Sequence, residues 1–123
     1  SHWALHAVVI GQVMGESTLV QWLESHSVGG DALAPISDYG SAHHLAINAS
    51  RAWGFAVAAR ATGEALWREA YRSHLRASLA LHEPWHHDRR SYTHWVPQFT
   101  VYALALGKGL ISPESFSWGS LKG

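Results

Sequence analysis

Two stretches of this chain align with each other without a gap: HWALHAVVIGQVMG at 2 to 15 and HWVPQFTVYALALG at 94 to 107. Each opens on His-Trp, carries a polar residue four positions after the His, and closes on Gly. HLAINASRAWGFAVAARATG, at 44 to 63, follows the same plan with a six-residue extension, its opening His44 paired with Asn48. The starts at 2, 44 and 94 lie 42 and 50 residues apart, the length of a two-helix hairpin plus its loops. A repeat of that period confines the chain to stacked helical hairpins.

Local patterning agrees. Apolar residues recur at helical spacing and strand alternation is absent, which predicts an all-α domain over 1 to 123 with helices near 3 to 14, 17 to 26, 42 to 61, 64 to 82 and 94 to 106. A further short helix is expected from Ser112-Pro113-Glu114, where Ser caps and Pro takes the first turn. From Glu64 to Leu81 the residues Trp67, Tyr71, His74, Leu75 and Ser78 form one stripe, while Glu64, Arg68, Glu69, Arg72 and Arg76 fill the other side. That is an outer helix. Leu45 to Ala61 is apolar nearly all round, with Trp53, Phe55 and Val57 on different faces, as an inner helix covered by neighbours requires. Pro97 falls in the first turn of the last helix if Thr93 caps it, where a missing amide hydrogen costs nothing.

An inner apolar helix, the break Thr62-Gly63 and an amphipathic outer helix (ATGEALWREAYRSHL) resemble the (α/α) toroid superfamily, in which helical hairpins ring a central cleft. SHWAL followed by a second HxxxN helix more distantly resembles a family of uncharacterised bacterial toroid proteins. The superfamily includes glycan hydrolases and polysaccharide lyases, so the resemblance implies glycan binding or cleavage at the N-terminal ends of the inner helices. The chain holds only part of a ring's complement of hairpins, which favours a fragment of a larger toroid or an assembly of several chains. The absence of an initiator Met and the opening on SHWAL point the same way, unless Ser1-His2 is a cloning scar.

Composition narrows the partners. Nine Lys plus Arg balance nine Asp plus Glu, leaving no basic surplus to drive binding to nucleic acid or anionic lipid. No apolar run approaches the roughly 20 residues that cross a bilayer. Without Cys there is neither thiol chemistry nor a disulfide, which fits cytoplasm and periplasm equally. The apolar flanks of the first and last inner helices lack hairpin neighbours, so self-association or a missing remainder of the chain is expected.

At the start of each inner helix two polar residues share one face: His2 with His6, His44 with Asn48, His94 with Gln98. In the middle helix the face continues through Arg51. Taken singly, such pairs are helix-start residues bonded to loop backbone; three in register point to a ligand surface. The loop SDYGSAHH, 37 to 44, adds Asp38 as acid or base, Tyr39 as proton donor, and His43 or His44 as base, with Asn48 and Arg51 to neutralise a carboxylate. This set resembles the toolkit of toroid lyases that abstract a proton beside a uronate carboxylate. The plainer reading makes Asp38 or Ser41 an N-cap, Tyr39 a packed aromatic and Arg51 a loop tether. Of seven Trp, Trp53 and Trp67 lie on apolar stripes and belong to the core, whereas Trp3, Trp85 and Trp95 are the candidates to stack on sugar.

LHEPWHHD, 81 to 88, matches H-E-x-x-H through His82, Glu83 and His86, but Pro84 interrupts the helix a zinc protease needs and places the helix end near His82. His82, His86, His87 and Asp88 leave a His-rich metal-binding protein as a minor alternative. No motif calls for a cofactor. The main alternative to a carbohydrate-active protein is a non-catalytic helical-repeat interaction module.

Overall fold

The computed structural model describes residues 2–26 and 30–110. The fold is all-α, and no strand occurs among the described residues. Helix α1 (His2–Val9) passes into a wider π-helical turn over Ile10–Met14 and stops at Gly15, whose φ of 97° is open only to glycine without strain. Helix α2 (Glu16–Ser25) follows directly. A 3-10 turn over Ala42–Ala46 leads into α3 (Ile47–Thr62), which ends on Gly63 in the left-handed conformation with its N–H on the Ala59 carbonyl. The Thr62 hydroxyl then accepts the amide of Glu64, 3.1 Å away, and launches α4 (Ala65–Ala80) back along α3. The expected break at Thr62-Gly63 is therefore a left-handed glycine cap.

The helix does break near the expected His82, but at Leu81, and Glu83 and Pro84 themselves stay helical rather than extended. Helix α4 stops at Ala80 and a separate single turn, α5 (His82–Trp85), restarts with Pro84 at a position where its missing N–H has no helical partner to lose. A π-helical turn over Arg89–Thr93, capped by the Asp88 carboxylate on the Ser91 amide at 2.9 Å, precedes α6 (Val96–Leu106). Trp95 rather than Thr93 holds the cap position of α6, because the Thr93 hydroxyl donates instead to the His86 carbonyl at 2.7 Å. The short helix expected from Ser112 lies outside the described residues.

Helix α3 is the centre. Ten of its residues are buried, including Asn48 and Ser50, and α1, α2, α4 and α6 all pack on it. Its small residues permit close approach: a Cβ on Gly54 would lie 2.6 Å from Trp3 and 2.7 Å from the Ala4 backbone. Helices α1, α3 and α6 run in the same direction. Ala4 lies at Gly54 and Gly11 near Val57. On the other flank the Trp53 indole N–H donates to the Phe99 carbonyl at 2.9 Å, and Arg60 caps α6 through the Leu106 and Lys108 carbonyls. Helix α4 is antiparallel to them, with Tyr71 donating to the Ala103 carbonyl and Ser78 meeting Thr100 a turn or two later. Three parallel helices thus stand in a row, α1 and α6 flanking α3.

Behind that row α2 and α4 are joined by an aromatic hub. The ring of Trp3 stacks 5.6 Å from Trp67 of α4, lies 6.0 Å from Trp22 of α2 and 5.4 Å from Phe55 of α3. A second cluster of Leu45, Leu81, Tyr92 and Val96 packs the opposite end, where α3 and α6 begin.

Candidate functional site

The row is aligned by its closing glycines rather than by its opening histidines. With Ala4 at Gly54, the start of α1 stands level with the middle of α3, and the extra residues of the middle repeat extend past it. His6 accordingly sits away from His44, exposed, with its ring edge toward Trp22 at 6.4 Å. His2 lies in α1 at that same level. His6 and the second polar pair do not share a surface.

Nor do the second and third pairs, although the segments that carry them meet beside His43 and His94. At the N-terminal ends of α3 and α6 a cleft of about 270 Å³ is lined by Ala42, His43, Arg90, His94 and Trp95. The His43 ring meets Trp95 at 6.0 Å, tilted by 63°. Trp95 is held from behind, its indole N–H on the Ser91 carbonyl at 2.9 Å and its ring against the edge of Phe99. His94 Nδ1 donates to the Arg89 carbonyl at 2.5 Å, which fixes the orientation of the ring. Arg90 is exposed, and among the described residues it has no carboxylate partner. Gln98, one turn into α6, turns its amide back to the His94 carbonyl at 3.3 Å.

Asn48, Tyr39 and Arg51 come together, but on the loop before α3. Asn48, fully buried, accepts the Ile36 amide at 2.9 Å and donates to the Ile36 carbonyl and to the Tyr39 hydroxyl, both at 3.0 Å. Tyr39 in turn donates to the Ile36 carbonyl at 3.2 Å. Burial raises the Tyr39 pKa and the Asn48 hydrogen bond pulls it back only partly. The Arg51 guanidinium reaches the Ala34 carbonyl at 3.4 Å. Every polar atom of Asn48 is thereby committed to backbone or Tyr39. Asp38 is exposed, and His44 is half-buried with its Nδ1 out of water and without a hydrogen bond.

The remaining aromatic candidates divide. Trp3 belongs to the hub, and Trp85 packs half-buried on the Leu45 and Tyr92 cluster, leaving Trp95 as the one that lines the cleft. The rings of His82 and His86 stack at 5.3 Å and those of His86 and His87 at 3.7 Å. Among the described residues no group of three or more His, Cys, Asp or Glu side chains is placed to hold a metal ion, and Asp88 is engaged as a cap.

Arg90 is the lining residue that sequence reasoning missed. Nothing in RRSYTHW distinguishes it from Arg89, and only the π-helical turn brings it beside His94. A second cleft of about 360 Å³, at the glycine ends between Gln12, Glu16, Val57, Arg60, Ala105 and Leu106, includes none of the candidate site residues. The chain matches no family model, no curated protein and no solved structure.

Proposed function

We propose that this chain is a glycan-binding domain of helical hairpins, laid out as part of an (α/α) toroid, that recognises acidic sugar units at the cleft between the starts of α3 and α6. The observation that carries this reading is the convergence of His43, Arg90, His94 and Trp95 from two separated segments. An indole offers its face to a pyranose ring, imidazole nitrogens take hydroxyls, and a guanidinium without a carboxylate partner is matched to a uronate carboxylate through two parallel hydrogen bonds. The toroid layout is supported by three parallel helices in a row with α2 and α4 behind them.

Binding is favoured over cleavage because Tyr39 and Asn48, the residues that resemble a lyase's toolkit, spend their hydrogen bonds on Ile36. Isothermal titration calorimetry with oligosaccharides containing uronate and with neutral ones, run beside an ultraviolet assay for unsaturated product, tests this. Uronate oligosaccharides bind, neutral ones bind more weakly, and no unsaturated product forms. Equal absence of binding for both classes would refute the proposal, and unsaturated product would replace binding by lyase activity.

A further inference from the structure

The two end helices of the row leave nearly the same repeat positions in solvent, with Pro97 half-buried. Offset by 92 residues, Leu5, Val9 and Val13 of the first repeat correspond to Pro97, Val101 and Ala105 of the last, and both triplets are spaced four apart on one helix face. Val9 is 55% exposed and Val13 77%, Val101 is 63% exposed, and Met14, Tyr102 and Leu104 widen the stripes. Neither 2 to 14 nor 94 to 106 contains a single Asp, Glu, Lys or Arg. On α6 the stripe borders an open, almost wholly apolar groove of about 460 Å³ between Pro97, Gln98, Val101, Tyr102 and Ala105. Helix α3, in the middle of the row, shows what these flanks lack: Val57 and Gly54 are covered by α1 and Trp53 by α6.

We propose that two copies of this chain close into a ring, the Leu5, Val9 and Val13 stripe of each copy seated against the Pro97, Val101 and Ala105 stripe of the other. A two-fold axis parallel to the inner helices keeps them all pointing one way, so that each junction repeats the parallel side-by-side pairing already made by α1 with α3 and by α3 with α6. Area decides between this closed pair and an open chain of copies. Burying a Val or Leu side chain removes roughly 60 to 120 Å² of apolar surface, so the two stripes together offer roughly 500 Å² per copy once their polar margins are included. Closure buries both stripes of both copies, about 1,000 Å², the lower bound of a specific interface, whereas a single junction of an open chain reaches only about half of that. This pairing is independent of the glycan reading, since neither stripe includes His43, Arg90, His94 or Trp95.

Sedimentation velocity on the full chain across a concentration series tests the pairing, with circular dichroism confirming the fold of each variant. Wild type gives a species of twice the chain mass and nothing larger. Val9→Glu, at a solvent-facing position, weakens association at least tenfold. Adding Val101→Lys to Val9→Glu restores the pair, because every junction then sets a Glu of α1 against a Lys of α6. A monomeric wild type, a ladder of larger species, an unaffected Val9→Glu variant, or a folded double variant that stays monomeric would each overturn the proposal.

Discussion

Asn48 binds both the N–H and the C=O of Ile36, at 2.9 and 3.0 Å, so that one buried side-chain amide pairs with the backbone as a neighbouring strand would. The second amide hydrogen goes to Tyr39, and the three groups tie the loop before α3 to the helix. Asn48→Ala leaves the Ile36 amide and carbonyl unpaired and is expected to cost about 2 to 4 kcal/mol. Tyr39→Phe, which removes one hydroxyl from the network, costs about 1 kcal/mol. Urea unfolding monitored by circular dichroism measures both. A loss for Asn48→Ala no larger than that for Tyr39→Phe would contradict the role assigned to Asn48.

Gly54→Ala distinguishes tight helix packing from intrinsic propensity. In an isolated helix the change stabilises by roughly 0.5 to 1 kcal/mol. Here the new methyl would meet Trp3 at 2.6 Å and the Ala4 backbone at 2.7 Å, so α1 must shift and the net effect is a destabilisation of about 1 to 3 kcal/mol. Thermal unfolding of the variant reads the sign directly; a raised Tm would mean that α1 does not approach α3 as described.

His74 makes stability depend on acid. It is fully buried, with Nδ1 on the Ala70 carbonyl at 2.7 Å and its ring beside Phe55. Burial first, and Arg51 in addition, lower its pKa to about 4, while the Ala70 and Ala34 carbonyls oppose the shift. The unfolded chain binds this proton near pH 6.5 and the folded chain only near 4, so between those values the unfolded state holds more protons. The stabilisation is whole above pH 6.5 and is lost as pH falls toward about 4, on the order of 3 kcal/mol in total. Unfolding free energies of wild type and His74→Phe, measured from pH 7 to pH 4, should converge as the solution is acidified. Parallel curves would remove His74 as the cause.

Much of the fold is legible in the sequence, because a helical period, a Thr-Gly break and a mid-helix proline act locally and leave local marks. Level is not local. Aligning the repeats on His2, His44 and His94 puts Trp3 at a cleft, whereas the contact of Ala4 with Gly54 slides α1 along α3 and turns Trp3 into the hub between Trp22 and Trp67. The loop network of Asn48 was open between a ligand face and a tether in the sequence, since both need the same residue types; its distances to Ile36 distinguish them. Arg90 carries no mark because its placement depends on the turn over Arg89–Thr93.

Arg90→Lys retains the charge but replaces a planar fork by a point charge, and is expected to weaken uronate binding about tenfold with unchanged stability. Trp95→Ala removes the stacking face and weakens both acidic and neutral sugars. Arg76→Ala, exposed on α4, leaves affinity unchanged. Calorimetry on the three variants separates charge recognition from stacking, and an Arg90→Lys affinity equal to wild type would take Arg90 out of the site.

The most direct test of the cleft is a proton–nitrogen NMR titration of the full chain with an oligouronate. Shifts are expected in the indole N–H of Trp95 and in the backbone amides of Ala42, His43, Arg90 and His94, saturating together, while the amides lining the second cleft at Gly11, Gln12 and Arg60 stay in place. Shifts confined to that second cleft, or none at all, would contradict the proposed site.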